Sequence, residues 1–321
     1  MLRPFLTSML FMAAIATPLG AQLESASDRF GGSCASASSG VRGHCFRVAE
    51  AVQIMEPRAA IVLTGGNPVP GTASTLGMRI GTLPRMSIAA RVSAARVALP
   101  GIQRATNTDE LSFTPIAVGL DASVGLFNGL TLASTVGGFA SVDLLASIGR
   151  LQLSTDDDFA GSLTSWSGGA RVGILRESFT APGVSVSAMY RRLGDLTYGD
   201  AELASTDGWF RLEDMSGWSV RAAASKRVLG FGLTAGAGHD WYSADASARV
   251  RDAGTTITLQ EDELESSRTT FFGNAAFTLM ILHTVAELGW QSGGSSDPVI
   301  TTTGRLEKAG LYGSLAIRLS L

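Results

Sequence analysis

The chain has 321 residues, with 25 basic and 28 acidic side chains and a formal net charge of −3. That near balance lacks the basic excess by which nucleic-acid-binding proteins hold phosphate, so a nucleic-acid partner is not expected, and a hydrophobic share of 45% excludes a mostly disordered chain. Glycine makes up 38 residues, well above the ordinary ~7% share. Lysine is confined to Lys226 and Lys308, and two cysteines exclude a disulfide-dense scaffold.

In chain order, residues 1–21 read as a signal peptide. Met1-Leu2-Arg3 is a short positive start, Phe5 to Ile15 is apolar apart from Thr7 and Ser8, and the stretch ends in small residues at Ala21. The apolar run is shorter than the ~20 residues a spanning helix needs. Export places the mature chain in an oxidising compartment, where Cys34 and Cys45 are expected to form a local disulfide. His44 beside them does not complete a metal site, because a fourth ligand is missing.

Residues 22–84 form a separate N-terminal segment, periplasmic or plug-like. Phe46 to Met55 suits a short helix, which Pro57 should stop. Gly66, Asn67 and Pro68 mark a tight turn. This segment is long enough to enter the interior of a barrel or to rest below one.

From Arg85 onward the pattern changes to strict period two. Met86, Ile88, Ala90, Val92 and Ala94 alternate with Ser87, Ala89, Arg91, Ser93 and Ala95, and the last strand alternates through to Leu321. About ten strands fit between Arg85 and Leu321, within a range of roughly eight to fourteen. Short connections fall near Phe127-Asn128-Gly129, Thr180 to Gly183, Lys226 to Gly230 and Met280 to His283, with Asn128-Gly129 the strongest hairpin signal. Long polar connections fall near Pro100 to Leu111, Ser154 to Ser165, Gly194 to Asp207, Asp245 to Arg268 and Ser292 to Leu306. The stretches 130–152 and 245–268 have room for a further strand each. Phe127, Phe179, Phe231 and Phe277 stand beside the short turns. Phe113, Trp166, Trp209, Trp241 and Trp290 stand near the long loops. Two aromatic belts separated by apolar alternation fit the two interfaces of a bilayer. The expected fold is all-β: a transmembrane antiparallel β-barrel over 85–321, with a partly helical segment before it. A secreted β-sandwich is the soluble alternative.

These hairpins and the alternating last strand resemble the bacterial outer-membrane β-barrel class. The resemblance implies export to the bacterial outer membrane, with outer-membrane lipid and the barrel assembly machinery as partners. That class commonly ends in an aromatic residue, where this chain has Leu321. A second, smaller resemblance rests on Gly65-Gly66-Asn67-Pro68-Val69-Pro70-Gly71. It is similar to the Asn-Pro-Ala-Gly element before the first barrel strand of the FadL-like hydrophobic-substrate transporters, with Val69 in place of alanine. It implies small apolar solutes as cargo.

On the same parity, the polar face of the strands carries Arg91, Asp121, Asp143, Arg171, Arg191, Arg221, Asp240, Glu287 and Arg318. Acids and bases inside a narrow tube either pair with one another or line a selective passage. The acidic runs Asp156-Asp157-Asp158 and Glu261-Asp262-Glu263 lack the spacing of a cation loop and read as solvated surface. His44, His239 and His283 share no partner pattern with a nucleophile, and no nucleophile elbow is present. Neither enzyme activity nor a cofactor is expected. The leading expectation is passage of small solutes, apolar ones included, through a narrow or plugged lumen. The alternative is a closed structural or surface-interaction barrel.

Overall fold

The computed structural model describes residues 34, 39–77, 84–103, 110–131, 137–154, 158–160, 162–199, 207–252, 255–292 and 310–321. The signal-peptide reading of residues 1–21 lies outside them. Ten antiparallel strands form a closed barrel: β1 (Met86–Ala95), β4 (Ile116–Phe127), β5 (Ser141–Gln152), β6 (Ser162–Leu175), β7 (Gly183–Leu193), β9 (Gly208–Val228), β10 (Phe231–Asp252), β11 (Thr255–Leu279), β12 (Leu282–Gln291) and β13 (Gly310–Ser320). Closure comes from β1, which pairs with β4 on one side and with β13 on the other, Ile88 facing Leu319 across the seam. Closure leaves no sheet edge unpaired, the condition for a sheet to sit in hydrocarbon. Three short strands lie outside this ring order. β2 (Val97–Pro100) and β3 (Glu110–Phe113) pair with each other, and β8 (Leu196–Tyr198) pairs with the far end of β9.

Period-two alternation decides which side chains meet lipid. Ile88, Val92, Val118, Leu120, Ile148, Leu233, Leu288, Leu315 and Ile317 all point outward and are exposed. A band of bare aliphatic side chains of this extent is stable against hydrocarbon rather than water. Aromatic rings bound the band. Phe231 and Phe277 meet at 5.2 Å beside the short turns. At the other end Trp166, Tyr190 and Trp218 follow one another at 6.2 and 5.2 Å, and Phe271 lies 5.4 Å from Trp290.

Several turns and belts differ from the sequence reading. Leu229-Gly230 links β9 to β10 with both residues at positive φ, as a two-residue hairpin turn requires. Asn128-Gly129 does not close a two-residue hairpin. Gly129 takes φ 74°, the chain continues through a Leu130–Phe139 bridge, and β5 starts only at Ser141. Residues 245–252 and 255–268 are strand rather than loop, with Ala246, Ala248, Val250, Leu259 and Leu264 turned inward. Asp158 is described without its two acidic neighbours, and Glu261 to Glu263 fall within β11. Phe113 does not join a lipid belt. It belongs to the β2–β3 pair and packs inside the structure against Phe159, ring centroids 5.0 Å apart. Trp209 stands beyond the upper belt under Arg249, whose guanidinium lies 5.9 Å from its ring, while Trp218 occupies the belt position.

Of the N-terminal segment, residues 39–77 lie inside the barrel. Helix α1 (Ser39–Thr64) has 26 residues, about 39 Å at 1.5 Å per residue. From His44 to Leu63 every residue but the half-buried Arg47 is buried, so the helix has no solvent face and must run within a wall. It starts at the long-loop end, where His44 Nε2 meets the Ile102 carbonyl at 2.7 Å. It ends among the inward residues of the strands.

The expected short helix therefore needs correction, since Pro57 lies within α1 rather than after it. Proline has no N–H, which leaves the carbonyl of residue 53 without its helical donor. The barrel wall supplies one: Arg268 Nη2 of β11 lies 3.5 Å from the Gln53 carbonyl. Around the upper part of α1 the wall is apolar. Phe210, Leu212, Ala244, Ala248, Val250 and Leu264 of the long strands pack there with Val97, Leu99 and Ile102.

Candidate functional site

Below the apolar storey the wall turns polar, and the sequence-predicted lumen residues face a single feature, the segment 64–77 that succeeds α1. Gly65 ends the helix with φ 62°, and its amide still donates to the Ile61 carbonyl at 2.8 Å. Asn67 and Pro68 then form a turn. The Asn67 side chain accepts from the Val69 amide at 3.2 Å and donates to the Thr72 carbonyl at 3.3 Å.

A bare turn in a closed interior would strand its backbone polar groups at a cost of about 1–3 kcal/mol each. The wall answers them one by one. Glu287 accepts the amides of Gly66 and Asn67 at 2.7 and 3.1 Å, and Asn274 donates to the same carboxylate at 3.2 Å. Arg91 donates to the carbonyls of Thr64 and Asn67 while both its Nε and Nη2 hold Asp121 at 2.9 and 2.6 Å. Arg221 reaches the Gly66 carbonyl at 3.2 Å and holds Asp240 at 2.7 and 2.9 Å. Arg171 reaches the Thr72 carbonyl at 3.3 Å and pairs with Asp143 at 2.7 Å, and Asp143 accepts the Leu76 amide at 3.0 Å. Arg318 donates to the Pro70 carbonyl at 2.6 Å.

All nine residues assigned to the lumen on parity therefore point inward. Eight of them share one structure: Arg91–Asp121, Arg171–Asp143 and Arg221–Asp240 are ion pairs that also bond the segment backbone, and Glu287 and Arg318 bond it directly. Arg191 is the ninth. It is buried, and its Nε and Nη1 lack protein partners. It borders a gap of about 10 Å³ beside Gly66 and Pro68, room for about one water molecule. The residues assigned as a turn element, Gly66, Asn67 and Pro68, lie at the centre of this latch. A Cβ on Gly66 would come within 2.2 Å of the Tyr312 hydroxyl and 2.6 Å of the Phe272 ring, so only glycine fits.

Sequence reading missed the polar contacts of α1 itself, since nothing local marks them. Glu56 accepts from Ser266 Oγ at 2.7 Å, above the upper aromatic belt. Burial pushes its carboxyl up to about 7, against the opposing effects of the Ser266 bond and the nearby Arg268 charge. Arg58 donates to Gln291 Oε1 at 3.3 Å. At the long-loop end Cys34 and Cys45 form the expected disulfide, with Cα atoms 5.5 Å apart. His239 lies outward, 4.7 Å from Trp241 and 3.1 Å from Thr269 Oγ1, while Asp240 points inward. His283 lies within β12 rather than in a turn, bonded to Thr278 Oγ1 at 2.8 Å. Among the described residues, no group of three or more acidic, histidine or cysteine side chains is arranged to hold a metal ion.

No protein-family model matches the sequence, and a search of curated proteins finds no match. Solved structures do match in shape. The translocator domain of the autotransporter NalP from Neisseria meningitidis aligns over 75% of this chain and 90% of its own, at 10% identity and a TM-score of 0.41. The β-domain of the Bordetella autotransporter BrkA aligns over 74% and 99%, at 11% identity and a TM-score of 0.38. The outer-membrane protease OmpT from Escherichia coli aligns over 78% and 98%, at 10% identity and a TM-score of 0.34. The resemblance to the FadL-like group expected from Gly65 to Gly71 is not shown. What assigns this chain is its own surface: a closed antiparallel ring of ten strands, an outward aliphatic band and an aromatic belt at each edge make it a transmembrane β-barrel of the outer-membrane type.

Proposed function

We propose that this barrel works as a closed surface platform rather than as a solute conduit. One observation carries the reading: α1 and the segment 64–77 fill the lumen from the long-loop end to the short-turn end, and the inward ion pairs bond that segment. A ring of charges lining a water-filled path would face water; here the charges face backbone amides and carbonyls. Short turns face the periplasm in such barrels and long loops face outward. The tall β9–β11 wall thus rises on the cell surface, stiffened by the core around α1. It presents a rigid face to outside partners.

Passage of small solutes, apolar or not, would require the segment 64–77 to leave more than half a dozen buried hydrogen bonds. No catalytic step is part of the proposal, and the ring of His239 is engaged by Trp241 and Thr269. The experiment is planar-bilayer recording of the refolded chain, with heat-modifiable gel migration as the control for insertion. An inserted and silent barrel is expected. Discrete conductance steps from the unaltered chain would overturn the closed reading.

A further inference from the structure

The short-turn mouth holds a second group of charges, of which only Arg318 also serves the latch. A cavity of about 780 Å³ opens there. It is lined by four arginines, Arg85, Arg176, Arg227 and Arg318, against one acidic side chain, Glu177. Deeper in the lumen Arg91, Arg171 and Arg221 each meet an aspartate. At the mouth none of the four arginines has a carboxylate in salt-bridge range among the described residues.

Arg318 is 3% exposed, its Nη1 is used on the Pro70 carbonyl, and its buried Nε has no partner. Arg176 gives Nη2 to the Asn128 carbonyl at 3.0 Å, and its Nε is likewise buried without a partner. Among the described residues, Arg85 reaches only the Leu76 carbonyl, at 3.4 Å. Glu177 is itself occupied, accepting the backbone amide of Arg227. Buried or crowded guanidinium groups without counter-charge are costly, and an incoming oxyanion would offset that cost through paired, charge-assisted hydrogen bonds.

The rim adds a second character. Phe179, Leu229 and Met280, at the tips of three short turns, line the same cavity and are 99%, 95% and 90% exposed. Apolar tips beside the lower aromatic belt lie at the depth of lipid head groups, where the abundant oxyanion is phosphate.

We propose that the short-turn mouth is a binding site for a phosphate-bearing anion, held by Arg176, Arg227 and Arg318. The phosphate has two sources, the head group of an anionic phospholipid in the inner leaflet or a free phosphate in the periplasm. The site does not depend on whether the lumen conducts.

The test uses the full refolded chain in an uncharged maltoside detergent. Binding of dihexanoylphosphatidylglycerol and of inorganic phosphate is followed by calorimetry and ³¹P line broadening. The comparison is Arg176→Ala/Arg227→Ala, which leaves every latch bond in place, with the temperature of heat-modifiable migration as the folding control. Saturable lipid binding that weakens at least ~10-fold in the folded double variant supports the site. If the lipid alone binds, the head group is the ligand, and Leu229→Ser should weaken it further. If inorganic phosphate binds as tightly as the lipid, the ligand is a free periplasmic phosphate. Absence of saturable binding by both probes, or equal binding by the double variant, overturns the proposal.

Discussion

Glu287 on β12 grips Gly66 across 221 positions of sequence, its Oε1 accepting the glycine amide at 2.7 Å. Its Oε2 takes the amide of Asn67 at 3.1 Å, so one carboxylate fixes two consecutive peptide groups just past the end of α1. Glu287→Ala strands both amides and the Asn274 side chain. The expected loss is about 3 kcal/mol of stability. Urea unfolding of the refolded barrel, read by tryptophan fluorescence, measures it. An unchanged midpoint would mean that the latch contributes shape but little energy.

Gly66 allows a sharper intervention. Gly66→Val places a branched side chain where the Tyr312 hydroxyl lies 2.2 Å from a bare Cβ. The ring of strands has its own pairing and should still close, but the segment cannot seat. Inserted Gly66→Val barrels are expected to conduct where the unaltered chain is silent. A silent, inserted variant would show that α1 alone blocks the lumen.

Glu56 links retention of the helix to pH. Its carboxyl is held at about 7 against 4.5 when unconstrained, so the folded chain prefers it protonated. The burden on the fold is absent below pH 4.5, grows as pH rises, and is complete above about 7. At ~1.4 kcal/mol for each tenfold change in proton affinity it reaches on the order of 3 kcal/mol. Glu56→Gln should match the unaltered chain at pH 4.5 and exceed it in urea midpoint at about pH 8. Parallel curves across that range would contradict a buried, titrating Glu56.

Arg221 and Asp240 test whether the lumen charges act as pairs. Both are almost wholly buried, 2.7 Å apart, and Thr270 adds a bond to Asp240 at 2.9 Å. Removing either charge alone leaves the other stranded, an expected cost of about 3–5 kcal/mol. Arg221→Met with Asp240→Leu removes the imbalance and should recover more than half of that loss. A double variant as unstable as the sum of the singles would exclude coupling between them.

Much of this was legible because a strand offers its side chains only two directions. Once Ile88, Val92, Leu315 and Ile317 are assigned to lipid, Arg91 and Arg318 have nowhere to go but inward. The cysteine pair was legible for a similarly local reason. The path of α1 was not. Pro57 is a stop signal by every local rule, and what overrides it is the arginine at position 268, some two hundred residues away, that serves the Gln53 carbonyl. The latch was half legible. Parity supplied its charged residues, but their partners are backbone groups, which carry no signature in a sequence. The 245–268 stretch misled for a different reason: its polar composition suits loops, while its inward positions Ala246, Val250 and Leu259 keep strand parity only because α1 and its core lie behind them.

The seam between β1 and β13 gives the latch a meaning for biogenesis. Arg91 stands on the first strand of the ring and Arg318 on the last, and both hold the same short stretch of chain. A polypeptide that enters one opening of a finished hoop and is continuous with the hoop at the other is topologically encircled. Such encirclement arises in two ways. Either the segment is already in place while the first and last strands are still apart, or it is pushed end-on through a completed hoop, dragging the Cys34–Cys45 loop with it. With residues on both sides of the seam bonding neighbouring carbonyls of one segment, the first order lets the captive segment serve as the template on which the last strand finds the first.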